Sequence, residues 1–406
     1  MHLLRGALRN YAWGSRTALA NLCGRPAPSA HPEAELWFGA HPADPAKLVV
    51  GDTEKSLLDV LSADPEHELG SAVVPQFGAR LPFLLKVLAA EEPLSLQAHP
   101  SARQARDGFA RENRAKVPLD SPIRNYRDDN PKPELVVALD RFEALAGFRD
   151  PRATIELFDA LDVEALQKYS GLLAGQRDSM ALRALFTTWI TLPPSTLSSL
   201  LPDVLDGCVR YLSECRGKGR FAAEAQTALE LAETYPGDAG VLASLLLNRV
   251  TLQPGEGLFL DAGNLHAYLR GMAVELMANS DNVLRGGLTP KHVDVPELLR
   301  VLDFEPVTVP VLTPHGPAGG PLQYDTPAAE FALSRFDLDV AQQPTVNGPS
   351  IVLCSAGEAE LVCGPDRLVL TRGSAAWIAA ADPVVTMSAR APETQVFCAR
   401  VGVLSV

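Results

Sequence analysis

Two short segments place a possible metal ligand and a partner two residues apart: Gln97 and His99 in LSLQAHP, and Lys132 and Glu134 in NPKPEL. In an extended strand, positions i and i+2 project to the same face, so each pair can reach one point. Pro100 ends the first strand and leaves its last residues at a rim. Pro131 and Pro133 hold the second stretch extended and remove two backbone donors. His266 follows the turn-rich PGEGLFLDAGN, with Tyr268 on its side of the next strand. Neutral imidazole and carboxylate oxygen suit a divalent transition ion of the zinc type. Each piece also has an ordinary structural reading. A strand histidine is more often a satisfied core residue, and a K-x-E pair is commonly a solvated ion pair on an edge strand. Gln97 is an unusual ligand that spacing alone does not select.

A second kind of chemistry is suggested by the cations of NVLRGGLTPKH. The turn signals NSDN and RGGLTPK place Arg285 and Lys291 on a loop, and the glycines leave room for a substrate to approach Arg285. The chain as a whole is acidic, with 36 Lys and Arg against 49 Asp and Glu and a net charge of −13. That balance argues against nucleic acid or an anionic membrane as partner. In such a protein, Arg285, Lys291, Lys132 and Lys86 meeting in one place would form a phosphate or enediolate site. Scattered, they would be an ordinary basic surface.

The elements that must position these residues fall into three stretches. Residues 1–150 show short apolar runs broken by Pro, Gly and Asp. LPFLLKVLAA (81–90) and LSLQAHP (94–100) read as neighbouring strands, ELVVAL (134–139) as a buried strand, and 101–115 as a helix capped by Ser101. Residues 151–249 carry helix-period apolar spacing throughout, an all-helical insert whose expected role is packing. β character returns from Val250, and TPHGPAGGP (313–321) reads as a linker before a small C-terminal β unit. VTLQPGEGLFLDAGNLH (250–266) can be laid without gaps on LVLTRGSAAWIAAADPV (368–384), pairing Leu252 with Leu370 and Gly255 with Gly373. This suggests two copies of one strand–turn–strand unit, as in a double-stranded β-helix. Val384 stands in the second copy where the first has His266. The six cysteines form no C-x-x-C pair, the opening MHLLRGALRNYAWGS lacks a long apolar h-region, and no apolar run is long enough to span a bilayer. A soluble, cytoplasmic protein is expected.

YAWGS (11–15), ELWFGAHP (35–42), LPFLLKVLAAEEPLSLQAHPS (81–101), NPKPEL (130–135), FEALAGFR (142–149) and the long run 260–299 together resemble the type I phosphomannose isomerases. The matches keep the family's order over residues 11–300, while the last ninety or so residues resemble it only loosely. The resemblance implies a mainly β protein: a cupin-type jelly-roll catalytic domain (1–150 with 250–312), an all-α insert (151–249) and a second, metal-free jelly roll (322–406). It implies one Zn²⁺ per chain on Gln97, His99, Glu134 and His266, and Arg285 as the active-site arginine. Lys132, Glu275, Lys291 and Tyr268 would line the pocket, with Lys86 and Ser95 at substrate or phosphate contacts.

The implied reaction interconverts mannose 6-phosphate and fructose 6-phosphate through a cis-enediol, serving GDP-mannose supply and carbohydrate metabolism in a monomer or weak dimer. Such a reaction needs a carbonyl-polarising cation, a base and an oxyanion stabiliser. Glu275, Lys132 and a metal-bound water are all candidates for the base, and a metal-assisted hydride shift is the rival route. Two other functions fit a cupin scaffold: a non-enzymatic sugar-binding regulator and an iron-dependent oxygenase. The first would be expected to lose part of the metal set or RGG, and the second needs no phosphate-binding cations.

Overall fold

The computed structural model describes residues 1–175, 178–317, 320–338 and 344–402. Extensive antiparallel sheets alternate with twelve α-helices among these residues. A ten-stranded sheet is centred on the long strand His266–Ala278, flanked by Phe83–Ala90 on one side and Phe142–Phe148 on the other. An eight-stranded sheet joins Ser350–Ala356, Ala375–Ile378 and Thr394–Arg400 to the N-terminal strands His2–Arg5, Lys47–Val50 and Thr53–Ser56. A four-stranded sheet holds Glu358–Cys363, Asp366–Thr371 and Val385–Ala389 with Thr345–Val346. The N-terminal strands therefore pair with C-terminal ones, so the stretch 1–150 contributes to both large sheets.

Alternation along one strand explains how the layers meet. In Phe83–Ala90, all residues of which are buried, Phe83, Leu85, Val87 and Ala89 share an apolar cluster with Ile351, Leu353, Trp377 and Phe397 of the eight-stranded sheet. The intervening positions face the other way, which puts Lys86 on the opposite side of the sheet. Lys86 lies directly across from Glu275 of His266–Ala278 and from Trp37 of Glu35–Phe38, so the three form one cross-strand row.

Helices follow one another from Pro151–Leu161 to Gly240–Ser244 with no strand between them. Their apolar faces pack through Leu157, Leu185, Phe186 and Trp189 onto Phe148, Leu265, Leu284 and Leu288. The expected helical character ends early: LLLNRV turns into the strand Leu247–Leu252, paired with Phe142–Phe148. Ser101 caps Ala102–Arg114 as read from sequence, with Gln104 completing a reciprocal box.

Two expectations need correction. LSLQAHP is not a strand beside 81–90; only Gln97–Ala98 is extended, and it pairs with His266 and with Leu284–Arg285. Arg285 is thus held on a short strand rather than on a free loop. The strand–turn–strand units 247–260 and 366–378 both turn at a left-handed glycine, Gly255 and Gly373, and Val384 is exposed where His266 is buried. Part of the expected linker, residues 318–319, lies outside the described residues. No helix among those described is long and apolar enough to cross a membrane.

Candidate active site

The strand His266–Ala278 supplies residues from both its halves because it bends between them. Pairing shifts register between Tyr268 and Arg270, and Gly271 follows at φ +118, a conformation that favours glycine. The first half pairs with Phe142–Phe148, and the second with Phe83–Ala90 and Glu134–Ala138. The bend lets the Tyr268 hydroxyl donate to Glu275 Oε1 at 2.9 Å, while Lys86 Nζ donates to Glu275 Oε2 at 2.9 Å. Glu35 stands 3.9 Å from the same ammonium and accepts from Trp37 Nε1 at 2.7 Å. Burial pulls the Lys86 pKa down, but Glu275, Glu35 and Glu134 outweigh it and hold the ammonium above the ordinary lysine range.

His99, Glu134 and His266 are buried, with ligand atoms all within 4.8 Å of one another. His99 Nδ1 lies 2.8 Å from the Asn282 carbonyl and His266 Nδ1 lies 3.0 Å from the Asn264 carbonyl. A carbonyl can only accept, so each Nδ1 carries a proton, and on a neutral imidazole that leaves Nε2 a bare lone pair. Those lone pairs face Glu134, with His99 Nε2 3.3 Å from Oε1 and His266 Nε2 3.3 Å from Oε2. His99 Nε2 has no hydrogen-bond partner, and burial, then Lys132, pushes this imidazole down to about 4, so it is neutral. Burial would raise the Glu134 pKa, but the Lys132 ammonium opposes it, and the carboxyl is held well below the usual range. Acceptors facing acceptors at this spacing repel unless a cation lies among them, and 3.3 Å is close to the edge of a tetrahedron with bonds of about 2.0–2.1 Å. The donor set therefore fits a zinc-type ion.

Gln97 lines the same inner cavity as Glu134 and His266, a space of about 70 Å³. Its Nε2 donates to Ser95 Oγ at 3.2 Å. Lys132 Nζ lies 3.0 Å from Glu134 Oε1 at the boundary with a larger cleft of about 600 Å³. Lys86, Ser95, Gln97, Lys132, Arg285 and Lys291 all line that cleft, so the expected cations do converge. They divide into two kinds. Lys86 and Lys132 are paired with carboxylates, whereas Arg285 and Lys291 have no carboxylate partner among the described residues. Burial and then the neighbouring Arg127 lower the Arg285 pKa, and burial, Arg285 and Arg127 lower that of Lys291. The glycines after Arg285 face protein neighbours. A Cβ on Gly287 would lie 2.8 Å from Gly240 Cα, so its bareness lets the helical segment pack close, and a Cβ on Gly286 would lie 3.0 Å from the Leu265 side chain.

Several residues of the site carried no assignment in the sequence. Arg127 is one. Asp281 is another, a 46% exposed carboxylate lining the cleft, 3.4 Å from His41 Nε2. His41 Nδ1 accepts from the Ala43 backbone at 3.2 Å, which leaves the proton on Nε2 pointing at Asp281. Asn282 is the third and is fully buried. Its amide donates to the carbonyls of Asp128 and Asn130 and accepts from the Arg127 backbone, while its own carbonyl orients His99. NSDN and ELWFGAHP were visible as turn and motif, but a turn signal does not say what its side chains will hold.

The family model described as phosphomannose isomerase type I, catalytic domain, matches residues 1–151. A mannose-6-phosphate isomerase from Escherichia coli (strain K12) is 40% identical over 395 residues, covering 95% of this chain and 97% of that one. The Homo sapiens mannose-6-phosphate isomerase is 33% identical over 358 residues, covering 82% and 81%. The crystal structure of the Salmonella typhimurium mannose 6-phosphate isomerase bound to fructose 6-phosphate and zinc superimposes with a TM-score of 0.89 at 37% identity, covering 99% of this chain and 100% of that one. With likeness of this extent in both sequence and fold, the chain belongs to the type I phosphomannose isomerase family.

Proposed function

We propose that this chain is a zinc-dependent aldose–ketose isomerase that interconverts mannose 6-phosphate and fructose 6-phosphate in the cleft beside His99, Glu134 and His266. The observation that carries the reading is the meeting of two unlike sites. A buried cluster of lone pairs awaits a cation, and it opens onto a cleft holding cations without carboxylates. Gln97, His99, Glu134 and His266 would hold the ion, which when bound acts as a Lewis acid on the oxygens of the opened sugar. An oxygenase would have no use for the second site, and a degenerate regulator would not keep the first.

The chain's own residues divide the remaining work. Arg285, fixed opposite Gln97, faces the reacting end and stabilises developing enediolate charge. Lys291 and Arg127 take the phosphate, since their charges are not already engaged. Glu275 is spent on Lys86 and Tyr268 and so acts by orienting them. Lys132 bridges Glu134 and the cleft. The proton moved between C1 and C2 requires an unsaturated group facing the substrate, and the Asp281 carboxylate meets that requirement with His41 holding it.

The finer architecture belongs to the same reading: a cupin-type jelly roll from 1–150 with 250–312, an all-α insert at 151–249, and a second jelly roll at 322–406. All-antiparallel pairing in the sheets and the succession of helices among the described residues of 151–244 support it. The six free cysteines suit the cytoplasm.

A coupled assay with mannose 6-phosphate, before and after chelation and with metal analysis of the same sample, tests the function. Turnover that survives complete metal removal would sink it. Solvent deuterium at C1 of the fructose 6-phosphate formed, lost along with about 10²–10⁴ of kcat in Asp281→Asn, tests the proton route.

A further inference from the structure

We propose that Asp238, on the turn between the last two helices of the helical segment, positions the loop 286–291 and thereby sets affinity for the phosphate end of the substrate. This rests on the reading of Lys291 given above. Asp238 does not touch substrate; it acts through the backbone that carries Lys291.

The helices Ala222–Thr234 and Gly240–Ser244 are joined by a short turn. Asp238 Oδ1 accepts from the Gly240 backbone at 2.7 Å, fixing the carboxylate, and Oδ2 accepts from the Thr289 backbone at 3.1 Å. The two backbones touch with no side chain between them. A Cβ on Gly240 would lie 2.7 Å from Leu288 N, and Gly287 passes Gly240 at φ +121. Leu288 then adopts φ +54, a left-handed conformation that leucine seldom takes unless its surroundings impose it, and its side chain is fully buried. From the other side, Gly286 N donates to Leu96 O at 2.8 Å and Leu96 N donates to Gly287 O at 3.1 Å. The loop is therefore clamped between the helical turn and the segment that carries Gln97. Thr289 extends the clamp, because its hydroxyl accepts from Lys291 N at 3.1 Å.

Such a clamp answers an electrostatic need. Arg285 and Lys291 sit near each other and near Arg127, and like charges push a free loop apart. An ionised carboxylate on a backbone N–H is a strong, short-range restraint that leaves the side-chain cations free for a ligand. Arg285 is held separately by its strand pairing with Gln97. Loosening at Asp238 should therefore reach the phosphate end more than the reacting end. The same turn sends Tyr235 into the cleft, its hydroxyl donating to Pro93 O at 2.7 Å.

The test uses the full chain with metal bound and compares Asp238→Ala, Asp238→Asn and Gly240→Ala. Each is measured for metal content, unfolding midpoint, kcat and KM for mannose 6-phosphate, and the inhibition constant of inorganic phosphate. In Asp238→Ala, KM and the phosphate inhibition constant should rise about tenfold, the scale of one charge-assisted hydrogen bond, with kcat and metal content little changed. Asp238→Asn keeps one acceptor oxygen and should fall between. If Asp238→Ala does not fold, Gly240→Ala decides, because its new methyl presses on the Leu288 backbone and should give the same pattern. Unchanged phosphate affinity in a folded variant, or a loss confined to kcat, overturns the inference. Wild-type protein inactive on mannose 6-phosphate would instead overturn the functional reading beneath it.

Discussion

At the scale of single residues, the site is a set of charges that are stable only in company. Lys86 is 7% exposed and ordered by Glu275 and Glu35, so removing its charge strands two carboxylates in a buried row. Breaking a buried pair from one side costs about 3–5 kcal/mol, while replacing both partners is often neutral. Lys86→Met should accordingly lower unfolding stability by about that amount, and adding Glu275→Gln should recover much of it. A denaturant titration in which the double variant is no more stable than the single one would show that the row is not a coupled unit. Asn282 sets a different dependence. It ties the 127–130 segment to its own turn and aims His99 through its carbonyl, the outer-shell role that fixes a ligand's tautomer. Asn282→Ala keeps that backbone carbonyl but releases the turn that carries it, so metal binding should weaken by about 10-fold by competition with a chelator, with the inner ligands in place.

At the scale of elements, one strand does more than its sequence announces. HAYLRGMAVELMA can be read as extended, but its bend at Gly271 appears only when four partners are paired to it, one of them with a shift of register. A Cβ on Gly271 would lie 2.7 Å from the Arg141 carbonyl at a φ that disfavours side chains. Gly271→Ala should cost about 1–3 kcal/mol and separate Tyr268 from Glu275. Loss of kcat with the metal retained would fit this, whereas wild-type kinetics would show that the bend is not needed. The same contrast explains what the sequence made legible. His99, Glu134 and His266 could be noticed as candidates because i, i+2 spacing and proline boundaries are local, but only the family resemblance joined them into a ligand set; the helical run 151–244 was legible because its apolar period is local. The pairing of Gln97–Ala98 with Leu284–Arg285, the joining of His2–Arg5 to Ala375–Ile378 and the packing of Gly287 on Gly240 are contacts between distant segments. No window of sequence holds both sides of any of them. Of the RGG glycines, Gly287 is needed bare where it packs on Gly240, a contact that no reading of the loop alone could supply.

At the scale of the whole molecule, metal binding and stability must be linked, and the linkage should be uneven. A ligand that binds only the folded state adds about 2.7 kcal/mol at one hundred times its dissociation constant. With the proposed ligands, that energy enters at Gln97–Ala98 and the His99 that follows it, at Glu134–Ala138 and at His266–Ala278. From there the ten-stranded sheet reaches the eight-stranded one through a shared cluster that includes Leu135, Leu276, Ile351 and Phe397. The four-stranded sheet is one step further away, with Leu361, Leu370 and Met387 in a different cluster. Hydrogen exchange with and without zinc should therefore show a gradient, since local opening follows such packing units. Protection should rise most in the three ligand-bearing strands, less in Ser350–Ala356 and Thr394–Arg400, and little in Glu358–Cys363 and Val385–Ala389. A uniform gain across all of these would mean that the chain opens as one unit, and the layered packing would then not partition its stability. A gain confined to the four-stranded sheet would place the ion somewhere other than between His99 and His266.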